Sequence, residues 1–119
     1  MAKYEIVDGV GIIPKGVTAI GDYAFFDCTS LTSVEIPSSV TEIGNSVFEG
    51  CSSLTSIVIP ESVTKIEYGA FDGCTSLTSI VVEEGNSVYD SREGCNAIIK
   101  TKTNTLIQGC NSTIIPSRV

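Results

Sequence analysis

Hydrophobic and polar residues recur along residues 13–81 with a period of 23 residues. Three consecutive segments occupy 13–35, 36–58 and 59–81: IPKGVTAIGDYAFFDCTSLTSVE, IPSSVTEIGNSVFEGCSSLTSIV and IPESVTKIEYGAFDGCTSLTSIV. Eleven of the 23 positions are identical in all three copies. Self-similarity at such a period is typical of solenoids, in which each unit buries its apolar side chains only against its neighbours. We therefore predict three stacked repeats that offer a surface rather than a catalytic pocket.

Each repeat predicts two extended segments and one short helical segment. In 31–37, Val34 and Ile36 alternate with polar residues, as in a half-buried strand, and the proline ends that strand. The Val-Thr-x-Ile segment at 40–43 predicts a second extended stretch with two inward residues. After a bend at a glycine, the residues 22–25 and 45–48 predict one or two turns of helix.

Stacking of the repeats should place equivalent side chains in columns, about 4.8 Å apart as in neighbouring strands. The phenylalanine column would contain Phe25, Phe48 and Phe71, and the leucine column would contain Leu31, Leu54 and Leu77. Both columns would form the core of a single domain, residues 1–119.

The two ends of the chain depart from the repeat. Asp8-Gly9 lies between two apolar runs and predicts a hairpin, so we interpret residues 1–12 as an N-terminal cap. Residues 82–119 predict a divergent repeat, with a second hairpin between 96–99 and 105–107 and the start of another repeat at 111–119.

The pattern IPxxVTxIGxxAFxxCxxLTSI resembles the BspA-like class of leucine-rich repeats, found in bacterial and protozoan surface proteins. This resemblance implies an α/β solenoid, an arc with short parallel strands on its concave face, short helical turns on its convex face and hairpin-like ends. It also implies a role in adhesion or protein binding. Two departures stand out: Glu67 replaces the glycine at the third bend, which leaves the shape of that bend open, and the fourth unit lacks the Pro and Val-Thr-x-Ile segments.

The net charge of −7 argues against nucleic acid as a partner, because binding to phosphates needs clustered Lys and Arg. Residues 1–91 contain 13 acidic and 3 basic residues, whereas residues 92–119 contain four basic residues and one acidic residue. This asymmetry is compatible with head-to-tail self-association or with plain solvation of the surface.

No apolar run reaches the length of a membrane-spanning helix. Because no signal peptide is visible, the chain is either cytoplasmic or part of a surface or secreted protein whose export signal is missing.

The residues suited to chemistry are few. Without histidine, the chain has no Ser-His or Cys-His pair and no imidazole ligand. The spacing of Cys28, Cys51 and Cys74 equals the repeat period, which favours free cysteines packed at one inner corner over a disulfide or a metal site. For Cys95 and Cys110, which a two-residue turn would place opposite each other, a disulfide and two reduced thiols both remain open. We predict no catalytic residue, cofactor or metal.

The outward side of the Leu-Thr-Ser strand of each repeat is the predicted partner-binding surface, because repeat proteins commonly bind through such sheets. We call it the candidate face. It consists of Thr32, Ser33, Glu35, Thr55, Ser56, Val58, Thr78, Ser79 and Val81.

The leading hypothesis is a non-enzymatic interaction or adhesion module whose partner is another protein or a host-surface component. The first alternative is a structural spacer or a self-assembling repeat block that uses its open ends. A regular Thr/Ser array that organises water or a crystalline surface is a third hypothesis. The candidate face could also bind nothing, since Thr and Ser are favourable strand residues that duplication would copy.

Overall fold

The computed structural model describes residues 4–110 and 113–116. Over these residues the chain forms eleven short strands and one 3₁₀ helix: β1 (Glu5–Val7), β2 (Val10–Ile12), β3 (Ala19–Ile20), β4 (Ser33–Val34), β5 (Glu42–Ile43), β6 (Ser56–Ile59), β7 (Lys65–Ile66), β8 (Ser79–Val82), β9 (Tyr89–Asp90), the helix Arg92–Gly94, β10 (Ile98–Lys100) and β11 (Thr105–Gln108). The first residues of the predicted N-terminal cap and most of the predicted partial repeat at 111–119 lie outside the described residues.

Parallel pairing joins residues that are one repeat length apart. Ala19 in β3 pairs with Glu42 in β5, which pairs with Lys65 in β7, and Ser56 in β6 pairs with Ser79 in β8. Each step is 23 residues, so the sequence period is also the register of the strands. The predicted stacking of equivalent residues is confirmed at these strands.

The aromatic column runs through the core. The rings of Phe25 and Phe48 stack with centroids 5.5 Å apart, and those of Phe48 and Phe71 stack at 5.2 Å. Tyr4 packs on Phe25 at 5.6 Å and extends the column toward the N-terminus. The leucine column is equally buried, and its members are Leu31, Leu54 and Leu77. Stacked rings near this spacing contribute about 0.5 to 1.5 kcal/mol beyond the burial of their area.

The strands form two rows on different sides of the stack. One row contains β3, β5 and β7 in a single parallel sheet. The other row is divided between the sheet β1-β2-β4 and the pair β6-β8. Beside this division, the amide of Thr55 still donates to the carbonyl of Thr32 at 3.3 Å. The row predicted from the Leu-Thr-Ser segments is therefore present, but its hydrogen-bonded ladder is interrupted between the first and second repeats.

The predicted helical turns at 22–25 and 45–48 are wrong, because these segments form consecutive turns instead. The amide of Ala24 donates to the carbonyl of Gly21 within its own repeat, whereas the amide of Phe25 donates to Val47 in the next repeat at 2.9 Å. Every second amide is thus bonded to the neighbouring repeat, and an α-helix would require those amides to bond within the segment. Tyr23 at φ 61° is one of the residues that adopt left-handed backbone to allow this alternation.

The N-terminal hairpin forms where Asp8-Gly9 predicts it, with β1 antiparallel to β2. Asp8 (φ 50°) and Gly9 (φ 82°) both have the positive φ that a tight hairpin turn requires. Its second strand also pairs in parallel with the first repeat, Val10 opposite Ser33. The hairpin therefore adds one more layer to the stack, in the same register as the repeats.

The bend at Glu67 has the same backbone bond as the bend at Gly44. The amide of Gly44 donates to Ile20 and the amide of Glu67 donates to Ile43, both at 2.9 Å. In the second repeat, a Cβ at Gly44 would lie 2.9 Å from the amide nitrogen of Asp22. The third bend therefore accepts a side chain without a change in its hydrogen bond.

The divergent C-terminal unit forms an antiparallel sheet in the order β11-β10-β9. Lys100 pairs with Thr105, as expected from a turn centred on 102–103, but a bulge at Ile98/Ile99 shifts the following pair to Ile98 and Gln108. Because of this shift, Cys95 and Cys110 leave the opposed register that a disulfide would need. Neither forms a disulfide, and the other three cysteines are reduced as well.

Candidate partner-binding face

The candidate face lies on the row of strands β4, β6 and β8. In β6, Ser56 and Val58 point outward while Ile57 and Ile59 are buried, and β8 repeats this alternation. Val58 and Val81 are register partners, and their exposed fractions are 49% and 43%. Ser33 and Ser79 are half-buried, whereas Glu35 is exposed. The strands thus bring the predicted residues onto one surface.

The three threonines of the candidate face have a structural role in addition to their exposure. The hydroxyl of Thr32 donates to the carbonyl of Gly9 at 3.1 Å, that of Thr55 to Thr32 at 3.4 Å, and that of Thr78 to Thr55 at 3.3 Å. Each hydroxyl therefore bonds to the layer before it. This column of hydrogen bonds accounts for the repeated threonine without any ligand.

Two apolar residues of the predicted N-terminal cap extend the candidate face. Val10 is the register partner of Ser33, and Ile12 precedes Glu35 by the repeat length, with an exposed fraction of 44%. The outward row therefore begins with Ile12 and continues through Glu35, Val58 and Val81. Ile12 lies 23 residues before Glu35. If the hairpin is counted as one more layer of the stack, this offset identifies Ile12 as a residue of the candidate face.

An open groove of about 880 Å³ lies beside this row. Its lining includes Ile12, Glu35 and Val58 from three successive layers, together with Pro60. The other seven residues of the candidate face, Val81 among them, do not line it. A groove of this size with an apolar base is suited to side chains of a partner protein.

The cysteine column confirms the packing interpretation. The thiol of Cys51 donates to the carbonyl of Phe25 at 3.0 Å and that of Cys74 to Phe48 at 3.1 Å. Burial raises the pKa of Cys51 to about 12 and the pKa of Cys74 to about 11, so both are protonated at neutral pH. Thiols in this state are poor nucleophiles and poor metal ligands. Across residues 4–110 and 113–116, no three acidic, Cys or His side chains are grouped as a metal site would need.

A comparison with protein families matches residues 11–117 to the family described as BspA type leucine rich repeat region, in six copies. The match begins within the hairpin strand β2 and covers the three regular repeats and the divergent unit up to residue 117. Among curated proteins, none matches this sequence.

Several solved bacterial structures are similar to the chain. The Treponema pallidum leucine rich repeat protein has 41% identity over 57% of this chain and 32% of its own, with a TM-score of 0.56. A leucine rich cell surface protein from Faecalibacterium prausnitzii has 37% identity over 74% of this chain and 22% of its own, with a TM-score of 0.65. A leucine-rich repeat protein from Bacteroides ovatus has 40% identity over 57% of this chain and 18% of its own, with a TM-score of 0.54.

The chain therefore spans between about a fifth and a third of the length of these proteins. None of the helical segments in the described part of the chain has the length and hydrophobicity needed to cross a bilayer.

Proposed function

Since the chain belongs to the BspA-type leucine-rich repeat family, we propose that it is a non-enzymatic protein-interaction or adhesion module. Its candidate face, with Val10 and Ile12 beside it, binds a partner protein or a component of a host surface. The similar protein from Faecalibacterium prausnitzii is described as a cell surface protein, which supports a location at the cell surface for this chain too.

The exposed apolar row carries this proposal. Ile12, Val58 and Val81 each have more than two fifths of their surface in contact with solvent, and all three lie on the same side of the stack. Strand residues on the opposite side of the same strands are buried. Apolar side chains that share one exposed surface indicate an interaction site, because their contact with water costs free energy that a partner removes.

The test compares two single arginine variants. Val58→Arg places a charge in the centre of the apolar row, and Ala19→Arg places the same side chain at an exposed position of β3, in the other row of strands. Binding is measured by surface plasmon resonance against a panel of purified extracellular-matrix proteins and mucin. We expect Val58→Arg, and more so Val58→Arg with Ser56→Arg, to weaken binding to the panel member that the native protein recognises.

Ala19→Arg should bind that panel member with native affinity. If Val58→Arg also binds with native affinity, the partner contacts a different surface. Circular dichroism and urea unfolding of both variants establish that the fold is retained.

Self-assembly is a second candidate function, favoured by the edge strand β11. Leu106 and Ile107 are exposed on this strand, which is the last strand of its sheet. Apolar edge strands pair readily with other strands. Residues 1–91 are strongly acidic, whereas Lys100 and Lys102 lie within the C-terminal hairpin, so head-to-tail contact would bring opposite charges together.

Sedimentation velocity over a range of protein and salt concentrations separates the two functions. Association that weakens with added salt, and that Ile107→Lys abolishes, supports assembly through β11. If the protein is monomeric at all concentrations, self-assembly is ruled out and the interaction module is the function that stands.

A further inference from the structure

We propose that the partner inserts a lysine or arginine side chain against Glu35, between two aliphatic side chains that contact Ile12 and Val58. This inference rests on the proposed function, since it names the partner chemistry of the same surface. The partner is thus a protein segment in which a basic residue has aliphatic neighbours.

The position of Glu35 in the apolar row is the first argument. The equivalent residues of the neighbouring layers are Ile12 before it and Val58 and Val81 after it. Glu35 is therefore the one charged residue in a row that is otherwise aliphatic and exposed. A partner that covers Ile12 and Val58 together must also cover Glu35, because the three belong to consecutive layers.

The second argument is that the Glu35 carboxylate is available. Over residues 4–110 and 113–116, it forms no hydrogen bond and no ion pair with another described side chain; the ion pairs there are Lys65 with Glu42, Lys65 with Glu67, and Arg92 with Asp90. A carboxylate that a partner covers without a cation loses hydration and gains nothing in return. A cationic partner group compensates for that loss most fully, because it adds an opposite charge to the hydrogen bond.

The charge around the groove has the same sign. Its lining contains Glu35 and Glu83 against a single cation, Lys15. Glu83 accepts a hydrogen bond from the amide of Glu61 at 2.9 Å, so its carboxylate is held at the groove. Glu5 is the register partner of Ile12 and adds a further acidic residue next to the row. The groove is thus apolar at its base and negative overall, which matches a basic and aliphatic segment.

Three fluorescein-labelled peptides test the inference: Ac-VSKSVSKSV-NH₂, in which valine and lysine alternate on one face of an extended chain, its acidic counterpart Ac-VSESVSESV-NH₂, and Ac-SSKSSSKSS-NH₂, which keeps the lysines without the valines. Binding is followed by fluorescence anisotropy. At about 50 mM salt we expect the first peptide to bind about fivefold to tenfold more tightly than the second, with a smaller ratio at about 500 mM salt. The third peptide should bind more weakly than the first because it lacks the aliphatic contacts.

The deciding variants are Glu35→Lys and Glu49→Lys, which change the net charge equally. Glu49 belongs to the turn segment of the second repeat, away from the groove lining. Glu35→Lys should invert the order of the first two peptides, and Glu49→Lys should preserve it. If both variants shift the order equally, the attraction is a property of overall charge, and the inference is wrong.

Equal binding of the first and third peptides would overturn the aliphatic part of the inference. Failure of all three peptides to bind would overturn the partner chemistry as a whole. Neither result affects the proposed function, which depends on the response of Val58→Arg in the panel experiment.

Discussion

The ring of Phe48 lies parallel to the ring of Phe25, with centroids 5.5 Å apart and an angle of 5° between the planes. Phe48 also stacks on Phe71, so it is the residue with a ring on both sides within the repeats. Its side chain is fully buried. The stability of the stack should therefore depend strongly on this residue.

Phe48→Ala should lower the free energy of unfolding by about 3 to 5 kcal/mol, because a cavity opens between two fixed rings that cannot move to fill it. Urea unfolding followed by circular dichroism measures this loss. Tyr68→Ala is the matched control, since the Tyr68 side chain is 86% exposed and its loss should change stability by less than about 0.5 kcal/mol. Similar losses for the two variants would contradict the stacked core.

Asp27→Gly should increase stability by about 0.5 kcal/mol, because glycine adopts the left-handed backbone of this position without steric cost. Asp27 has φ 54°, and its equivalents in the next two repeats are Gly50 at φ 78° and Gly73 at φ 74°. The opposite kind of change, Gly50→Ala, should lower stability, because alanine is strained at φ 78° and its methyl group would also press on the Asp27 carboxylate. Thermal unfolding of both variants checks the two signs.

Asp90 should make the free energy of unfolding fall with decreasing pH in the acidic range. Hydrogen bonds from Arg92 lower the pKa of Asp90 from 3.8 to about 2, and Arg92 contacts the carboxylate at 2.7 Å. Because the folded-state pKa is below the unfolded value, this contribution is complete above about pH 4 and is lost as the pH falls through about 2. The native protein should lose about 1 to 2 kcal/mol more than Asp90→Asn over this interval.

Urea unfolding at several pH values measures the difference for Asp90→Asn. The control is Glu84→Gln, since Glu84 is exposed and the described residues form no ion pair with it. Parallel pH profiles for the native protein and Asp90→Asn would show that the Asp90–Arg92 pair does not stabilise the fold.

Cys51 and Cys74 should resist alkylation in the folded protein. Both pKa values are raised by burial, to about 12 for Cys51 and about 11 for Cys74, so thiolate is scarce at about pH 8. Iodoacetamide treatment followed by peptide mass spectrometry should show protection of both residues in buffer and full modification in urea. Rapid modification of Cys51 in buffer would mean that the second repeat opens without global unfolding.

The sequence alone determined the register and the core of this protein. The 23-residue period predicted that Phe25 stacks on Phe48 and Leu31 on Leu54. Equivalent side chains of successive repeats stack on one another when the repeats have the same length and their strands pair in register. The Asp8-Gly9 pair determined the first hairpin, since few residues adopt positive φ at two successive positions. The outward position of Val58 followed from the two-residue alternation of a strand.

Tertiary structure decided the conformation of the segments that the sequence assigned to helix. Residues 22–25 contain a spacing compatible with one helical turn, but Phe25 donates its amide to Val47 of the next repeat. That carbonyl is available only when the repeats are stacked, so no local pattern could predict the bond.

Tertiary structure also decided the extent of the candidate face and the state of the C-terminal hairpin. Ile12 belongs to the apolar row because β2 pairs in parallel with β4 on one side. On its other side, β2 pairs with β1 in the hairpin. The bulge at Ile98/Ile99 separated the register of Cys95 from that of Cys110. In each case the outcome depended on which backbone groups of distant segments came within hydrogen-bonding distance, and a local sequence pattern does not contain that information.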